Sequence, residues 1–182
     1  MSKQTTNHIR TMTDDIKDIT SQNPDICYQC GKCSAGCPIR NYMVEAPNLI
    51  VRYIQLGLFE KAVNSSTIWL CAGCLTCSTR CPKNFELAAF MDALREIALR
   101  KGIKIKEKAI LKFHKAFLKQ IKNHGRSYEL GLFRDYKMTT GDFFGDIDAA
   151  PDMILKGKIG IMPHNIKGKE SIKRIFEKKE VK

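Results

Sequence analysis

Eight cysteines fall in two short runs and nowhere else in the chain. The first, CYQCGKCSAGCP, sets Cys27, Cys30, Cys33 and Cys37 ahead of Pro38. The second, CAGCLTCSTRCP, sets Cys71, Cys74, Cys77 and Cys81 ahead of Pro82, 44 positions further on. Thiols so crowded can form disulfides, bind zinc or hold iron–sulfur clusters. Cysteines three apart in a tight loop turn their sulfurs to a common centre, which suits a metal better than pairwise bridges. Structural zinc commonly takes two well-separated C-x2-C pairs, or a mixture of cysteine and histidine. Here four cysteines crowd into eleven residues, and His8, His114, His124 and His164 are scattered elsewhere.

The C-x2-C-x2-C-x3-C-P spacing is the one used by bacterial ferredoxins for [4Fe–4S] cubanes, in which the fourth cysteine reaches the other cluster. The ligand sets that follow are Cys27, Cys30, Cys33 and Cys81 for one cluster, and Cys71, Cys74, Cys77 and Cys37 for the other. Small residues among the ligands (Gly31, Ala35, Gly36, Ala72, Gly73 and Ser78) are expected to let the backbone fold close and aim N–H groups at sulfur. Lys32 and Arg80 could add positive charge, although a solvent-facing role is the plainer one. Pro38 and Pro82 stop a helix at each crossover cysteine. Ile26, Ile39, Leu70 and Leu75 are expected to screen the clusters from water. With every iron held by a thiolate, no coordination site stays open for substrate. The arrangement implies one-electron transfer, with no catalytic residues of its own.

The elements that must position these runs are helical. Leu49, Ile50, Tyr53, Ile54 and Leu56 fall at helical spacing behind Pro47, with Gly57 as a stop. A short helix is expected over Leu58 to Asn64. A stronger one follows the second run, with Asn84 as N-cap, a stripe of Leu87, Phe90, Met91, Leu94, Ile97 and Ala98, and Gly102 at its end. A third runs from about Lys106 to Asn123, with Ile110, Leu111, Phe113, Phe117, Leu118 and Ile121 on one side and lysines on the other. Beyond Arg126 the periodicity weakens. Short helices are expected near Tyr128 to Tyr136 and Asp152 to Leu155, a short strand at Lys158 to Ile161, and a charged helix over Lys169 to Lys179. The fold class is therefore mainly α. Residues 1–23 form a flexible or loosely docked arm, residues 24–125 a cluster-binding domain, and residues 126–182 an irregular extension for contacts with partner subunits.

The chain has 182 residues and a formal charge of +12, from 31 basic against 19 acidic residues. Such an excess favours an acidic partner surface, nucleic acid or an anionic membrane, and charge alone does not choose among them. Aromatic residues are not interleaved with the basic ones as single-strand binding requires, so nucleic acid is not the expected partner. Lys104 to Lys122 and the C-terminal helix are candidate docking regions. The first residues lack the apolar core of a secretory signal, and no run approaches a membrane span. A cytoplasmic location is expected, where thiols stay reduced.

The cysteine runs, the linker RYIQLGL, the block IWLCAGCLTCSTRCP and the downstream pieces YELGLFRDYKM and KGKIGIMP resemble a known family. The fold implied is the alpha-helical ferredoxin domain of succinate dehydrogenase and fumarate reductase iron–sulfur subunits. The narrower resemblance is to the electron-relaying iron–sulfur subunit of heterodisulfide reductases from methanogenic archaea. That resemblance implies two [4Fe–4S] clusters and a cytosolic complex acting in methanogenesis. In it, electrons pass from a flavin-containing, iron–sulfur subunit to the catalytic subunit, which reduces the mixed disulfide of coenzymes M and B. A hydrogenase or formate dehydrogenase module could join through the flavin subunit. The alternative is an electron-transfer subunit of a related disulfide reductase or a membrane-linked oxidoreductase. The chain lacks the Cys-Cys pairs of the catalytic heterodisulfide reductase subunit, the C-x4-C-x2-C run of a [2Fe–2S] centre, and the glycine-rich motifs of nucleotide or flavin sites. The acidic run GDFFGDID lacks the order of an EF-hand and is expected to be a loop or partner contact.

Overall fold

The computed structural model describes residues 3–105, 107–141 and 162–180. Among these residues the chain is helical and contains no strand. The acidic run beyond Gly141, the short helix at 152–155 and the strand at 158–161 lie outside the described residues. The chain divides into two compact units, Met1–Glu107 and Lys108–Lys182.

The first unit begins with α1 (Lys3–Thr20). The first cysteine run carries α2 (Lys32–Ala35) and leads to α3 (Pro47–Gln55), α4 (Phe59–Val63) and α5 (Thr67–Leu70). The second run carries α6 (Thr76–Thr79), and α7 (Leu87–Arg100) closes the unit. Pro47 opens α3 at its first position, where its fixed φ suits a helix and its missing N–H leaves no bond unmade. Ile50, Val51 and Ile54 put one face of α3 into the core.

Helix α7 is the centre of this unit. Eight of its residues are buried, Phe90 and Leu94 completely, and it packs against α1, α4, α5 and α6. Phe90 meets Phe85 with ring centroids 5.4 Å apart. The helix starts at Leu87 rather than at an Asn84 cap. Asn84 takes a left-handed conformation (φ 52°) and its N–H bonds back to the Cys81 carbonyl, so its side chain is not at the N-cap.

Residues 3–20, read from the sequence as a flexible or loosely docked arm, are helical. They form α1, whose Met12 and Ile16 are buried, and α1 packs on α7. Apolar side chains one turn apart seat one face of a helix on a core. Lys101 of α7's end lies 3.7 Å from Asp15, an exposed pair that contributes little by itself.

The second unit comprises α8 (Lys108–His124), α9 (Glu129–Thr140) and α10 (Lys169–Glu180). The division into compact units falls before α8, which packs with α9 and α10. Gly125 ends α8 at φ 76°, and Ile166 lies so close above it that a β-carbon would overlap. The contact between α8 and α9 joins an edge-on ring pair, Phe113 and Tyr136 with centroids 5.8 Å apart, to a polar cluster. Asp135 receives hydrogen bonds from Gln120 Nε2 (2.9 Å) and from Arg134, and pairs with Lys119 Nζ at 2.9 Å. Burial pushes the Asp135 carboxyl up, but the bonds and charges of Lys119 and Arg134 outweigh it and hold it below the usual value.

Candidate iron–sulfur site

Both cysteine runs follow one backbone path. The first turns through left-handed residues at Gln29 (φ 63°) and Gly31 (φ 75°), the second through Gly73 (φ 62°) and Leu75 (φ 63°). These are the second and fourth positions after the first cysteine in each run. That conformation is free for glycine and costs other residues about 1–2 kcal/mol. Each loop therefore holds one relaxed and one strained position. A single helical turn follows, α2 or α6, carrying the third cysteine. The two turns pack on each other. At the contact the Arg80 side chain lies against Gly36, and no β-carbon would fit between them.

Two hollows result, of about 410 and 360 Å³ with open solvent included. Cys37, Cys71, Cys74 and Cys77 line the larger. Cys27, Cys30, Cys33 and Cys81 line the smaller, with Cys77 also reaching it. The last cysteine of each run thus shares a hollow with the first three of the other. Neither wall includes a carboxylate or an imidazole. Among the described residues no three Cys, His, Asp or Glu side chains close on a single ion. Thiols spaced round a hollow suit a soft polynuclear iron–sulfur group better than one tetrahedral ion.

The walls come from α3, α7 and the segments before them. Met43, Pro47 and Met91 face the Cys71 hollow, Val51 and Phe85 the Cys27 hollow, and Leu87 lines both. Of the four residues expected to screen the site, only Ile39 lines a hollow. Ile26 is 41% exposed and Leu75 58% exposed, and Leu70 lines neither hollow. These residues stand beside the cysteines in sequence but not in the walls, because the loop turns there. Screening falls instead to helices that arrive from elsewhere. Lys32 and Arg80 are both exposed, although Lys32 also borders the Cys27 hollow.

Donors surround the sulfurs. The Phe85 N–H reaches Cys81 Sγ at 3.3 Å, and Gln29 Nε2 reaches Cys27 Sγ at 3.5 Å. Asn48 holds Gln29 in place by donating to its Oε1 at 3.0 Å. Burial pushes the Cys27, Cys33, Cys71 and Cys77 thiols up from the ordinary value. The Gly73 N–H and the Arg95 charge work against this at Cys71. Cys74 is shifted down by its hydrogen bonding with the Thr76 side chain, whose hydroxyl lies 3.4 Å away, and with the Thr76 backbone. Buried thiols that resist ionising in the metal-free fold must release protons when metal binds.

Two residues missed in the sequence hold the entrances of the runs. Gln55 at the end of α3 donates to the carbonyls of Pro24 and Cys27. Arg95 in the middle of α7 donates to the carbonyls of Ile68 and Cys71. Their targets lie 24 to 31 residues away, and each looks like an ordinary polar helix residue.

Residues 23–85 match the family described as a 4Fe-4S dicluster domain. The chain is similar to iron–sulfur subunits of heterodisulfide reductases. It is 38% identical over 76 residues to the CoB–CoM heterodisulfide reductase iron–sulfur subunit of Methanopyrus kandleri, covering 42% of this chain and 40% of that protein. It is 37% identical over 76 residues to the like-named protein of Methanocaldococcus jannaschii, with the same coverage. It is 33% identical over 94 residues to the corresponding subunit of the ferredoxin:CoB-CoM heterodisulfide reductase of Methanosarcina acetivorans, covering 52% of this chain and 38% of the relative. The alignments span about two-fifths of the length of these relatives. Among the described residues no helix is long and apolar enough to cross a membrane.

Proposed function

We propose that the cysteine-rich unit holds two [4Fe–4S] clusters with crossed ligands: Cys27, Cys30, Cys33 and Cys81 at one site, Cys71, Cys74, Cys77 and Cys37 at the other. On this basis the chain is an electron-transfer subunit of a cytoplasmic heterodisulfide reductase complex. It receives electrons from a flavin-bearing subunit and delivers them to the catalytic one. The observation that carries this is the sharing of each hollow between the first three thiols of one run and the last thiol of the other. The similarity to iron–sulfur subunits of named heterodisulfide reductases supports the assignment to that complex.

Bound in the hollows, such clusters supply reversible one-electron reduction. The protein's own residues do the rest. Eight thiolates occupy the irons and leave no cysteine to attack a disulfide, so heterodisulfide chemistry belongs to another chain. Met43, Met91, Val51, Phe85 and Leu87 put apolar walls round the sulfurs. N–H donors from Phe85 and Gln29 offset negative charge at Cys81 and Cys27.

The test is anaerobic purification with metal analysis. The chain is expected to be brown, to carry about eight irons for two four-iron clusters, and to be reduced by dithionite. It is expected to associate with the flavin and catalytic subunits, and alone to leave the heterodisulfide unreduced. Zinc in place of iron and sulfide, or turnover by the isolated chain, would contradict the proposal.

A further inference from the structure

The two runs share a backbone path, yet the side chains that hold their entrances differ in charge. At the first, Gln55 Nε2 donates to the carbonyl of Pro24 at 2.9 Å and to that of Cys27 at 2.7 Å. At the second, Arg95 Nε donates to the carbonyl of Ile68 and Nη2 to that of Cys71. Pro24 and Ile68 each stand three residues ahead of their cysteine. The same pair of carbonyls is therefore clamped twice, by a neutral amide on one side and a guanidinium on the other.

The surroundings decide how much that charge counts. The Arg95 side chain is only 15% exposed, so water screens it weakly. Its Nη1 meets Asp92 Oδ1 at 2.8 Å, but that carboxylate is 64% exposed and its field is damped by solvent. On the Cys27 side the cations are Lys32, which borders the hollow, and Arg52, which donates to Gln55 Oε1 at 3.2 Å. Both are exposed. Among the described residues, the sheltered cation at these entrances is thus Arg95. An added electron brings one negative charge, which a sheltered neighbouring cation stabilises.

We infer that Arg95 is a positioning residue that also raises the affinity of the Cys71 site for an electron, while Gln55 holds the Cys27 site in the same way without that charge. The inference rests on the two-cluster proposal above. It makes the two halves of a near-repeat unequal acceptors.

The test exchanges the twin residues in the full chain, prepared anaerobically, with iron and sulfide counted first. Arg95→Gln, Arg95→Lys and Gln55→Arg are titrated stepwise with dithionite while paramagnetic resonance follows each reduced species. Arg95→Gln is expected to keep its iron, because glutamine already serves the equivalent position. One midpoint should fall by about a tenfold change in the oxidised-to-reduced ratio, or about 59 mV for a one-electron couple, with the other unmoved. Arg95→Lys should stay near the native value. Gln55→Arg should raise the midpoint that Arg95→Gln leaves alone. Full iron with both midpoints unmoved in Arg95→Gln overturns the inference, as do equal shifts in Arg95→Gln and Arg95→Lys. If Arg95→Gln sheds iron, Gln55→Arg decides, and full iron without an upward shift there overturns it. A native chain with only one cluster removes the two-site proposal instead, and the iron count shows this before any midpoint is read.

Discussion

The first cysteine run and the second trace the same curve with different residues. At the two left-handed positions one has Gln29 and Gly31, the other Gly73 and Leu75. Inside the following turn, Ser34 Oγ donates to Asn48 Oδ1 and accepts from the Asn48 N–H, whereas the counterpart Ser78 Oγ is buried with no partner among the described residues. Thr76, beside Cys74, stands where the first run has Lys32. The shared cysteine spacing goes with the shared path. The side chains off that path are free to differ. They set strain, donor strength and charge separately at each site.

The largest effect is expected where the two halves depend on one element. Leu87 of α7 lines both hollows, and Phe90 is fully buried one turn further on. Phe90→Ala is predicted to destabilise the unit by about 3–5 kcal/mol. Both sites should lose iron together on warming, followed by absorbance and resonance. Loss from one site well before the other would show that α7 does not serve them jointly.

A middle-sized effect sharpens the contrast between equivalent positions. Gly31 and Leu75 occupy the same place in the repeat at φ 75° and 63°. Gly31→Ala should destabilise the folded, metal-bound chain by about 1–2 kcal/mol. Leu75→Gly relieves the same strain of about 1–2 kcal/mol but adds unfolded-chain freedom worth about 0.5–1 kcal/mol, so its net effect should be a stabilisation of up to about 1.5 kcal/mol. Denaturant midpoints of the two variants are expected to move in opposite directions, and movement in the same direction would contradict the equivalence.

The smallest effect concerns the metal-free chain. Cys74 is exposed and its thiol is shifted down by Thr76, while burial shifts Cys27, Cys33, Cys71 and Cys77 up. A lowered value means more thiolate at neutral pH and faster alkylation. Cys74 should therefore be labelled severalfold faster than those four at pH 7, by mass spectrometry of timed samples. Thr76→Val should reduce its lead. As pH rises the buried thiols ionise too, and the difference should narrow.

Much of the cluster site was legible in the residues themselves. Eight thiols in two identical spacings point to a metal group, and residues 23–85 match the 4Fe-4S dicluster family. The helices α3, α4, α7, α8 and α10 were legible too, because their apolar stripes and their proline or glycine ends are local signals. What was not legible depends on partners remote in sequence. Gln55 and Arg95 act on carbonyls more than twenty residues away. The hollow walls come from α3 and α7 rather than from Ile26 or Leu75 beside the ligands. Helix α1 escaped notice because the buried apolar residues among its described side chains, Met12 and Ile16, stand in a polar stretch. Asn84 misled as a cap because a side chain suited to capping is equally suited to a left-handed turn.

The most direct measurement is a thiol-protection map of Cys81→Ala, prepared anaerobically, with Cys37→Ala as its mirror. Intact sites shield their cysteines from alkylation, and an emptied site exposes them. In Cys81→Ala, Cys27, Cys30 and Cys33 should become reactive while Cys37, Cys71, Cys74 and Cys77 stay shielded, and Cys37→Ala should give the converse. Exposure of Cys71, Cys74 and Cys77 in Cys81→Ala, with Cys27, Cys30 and Cys33 still shielded, would mean that each run closes its own site.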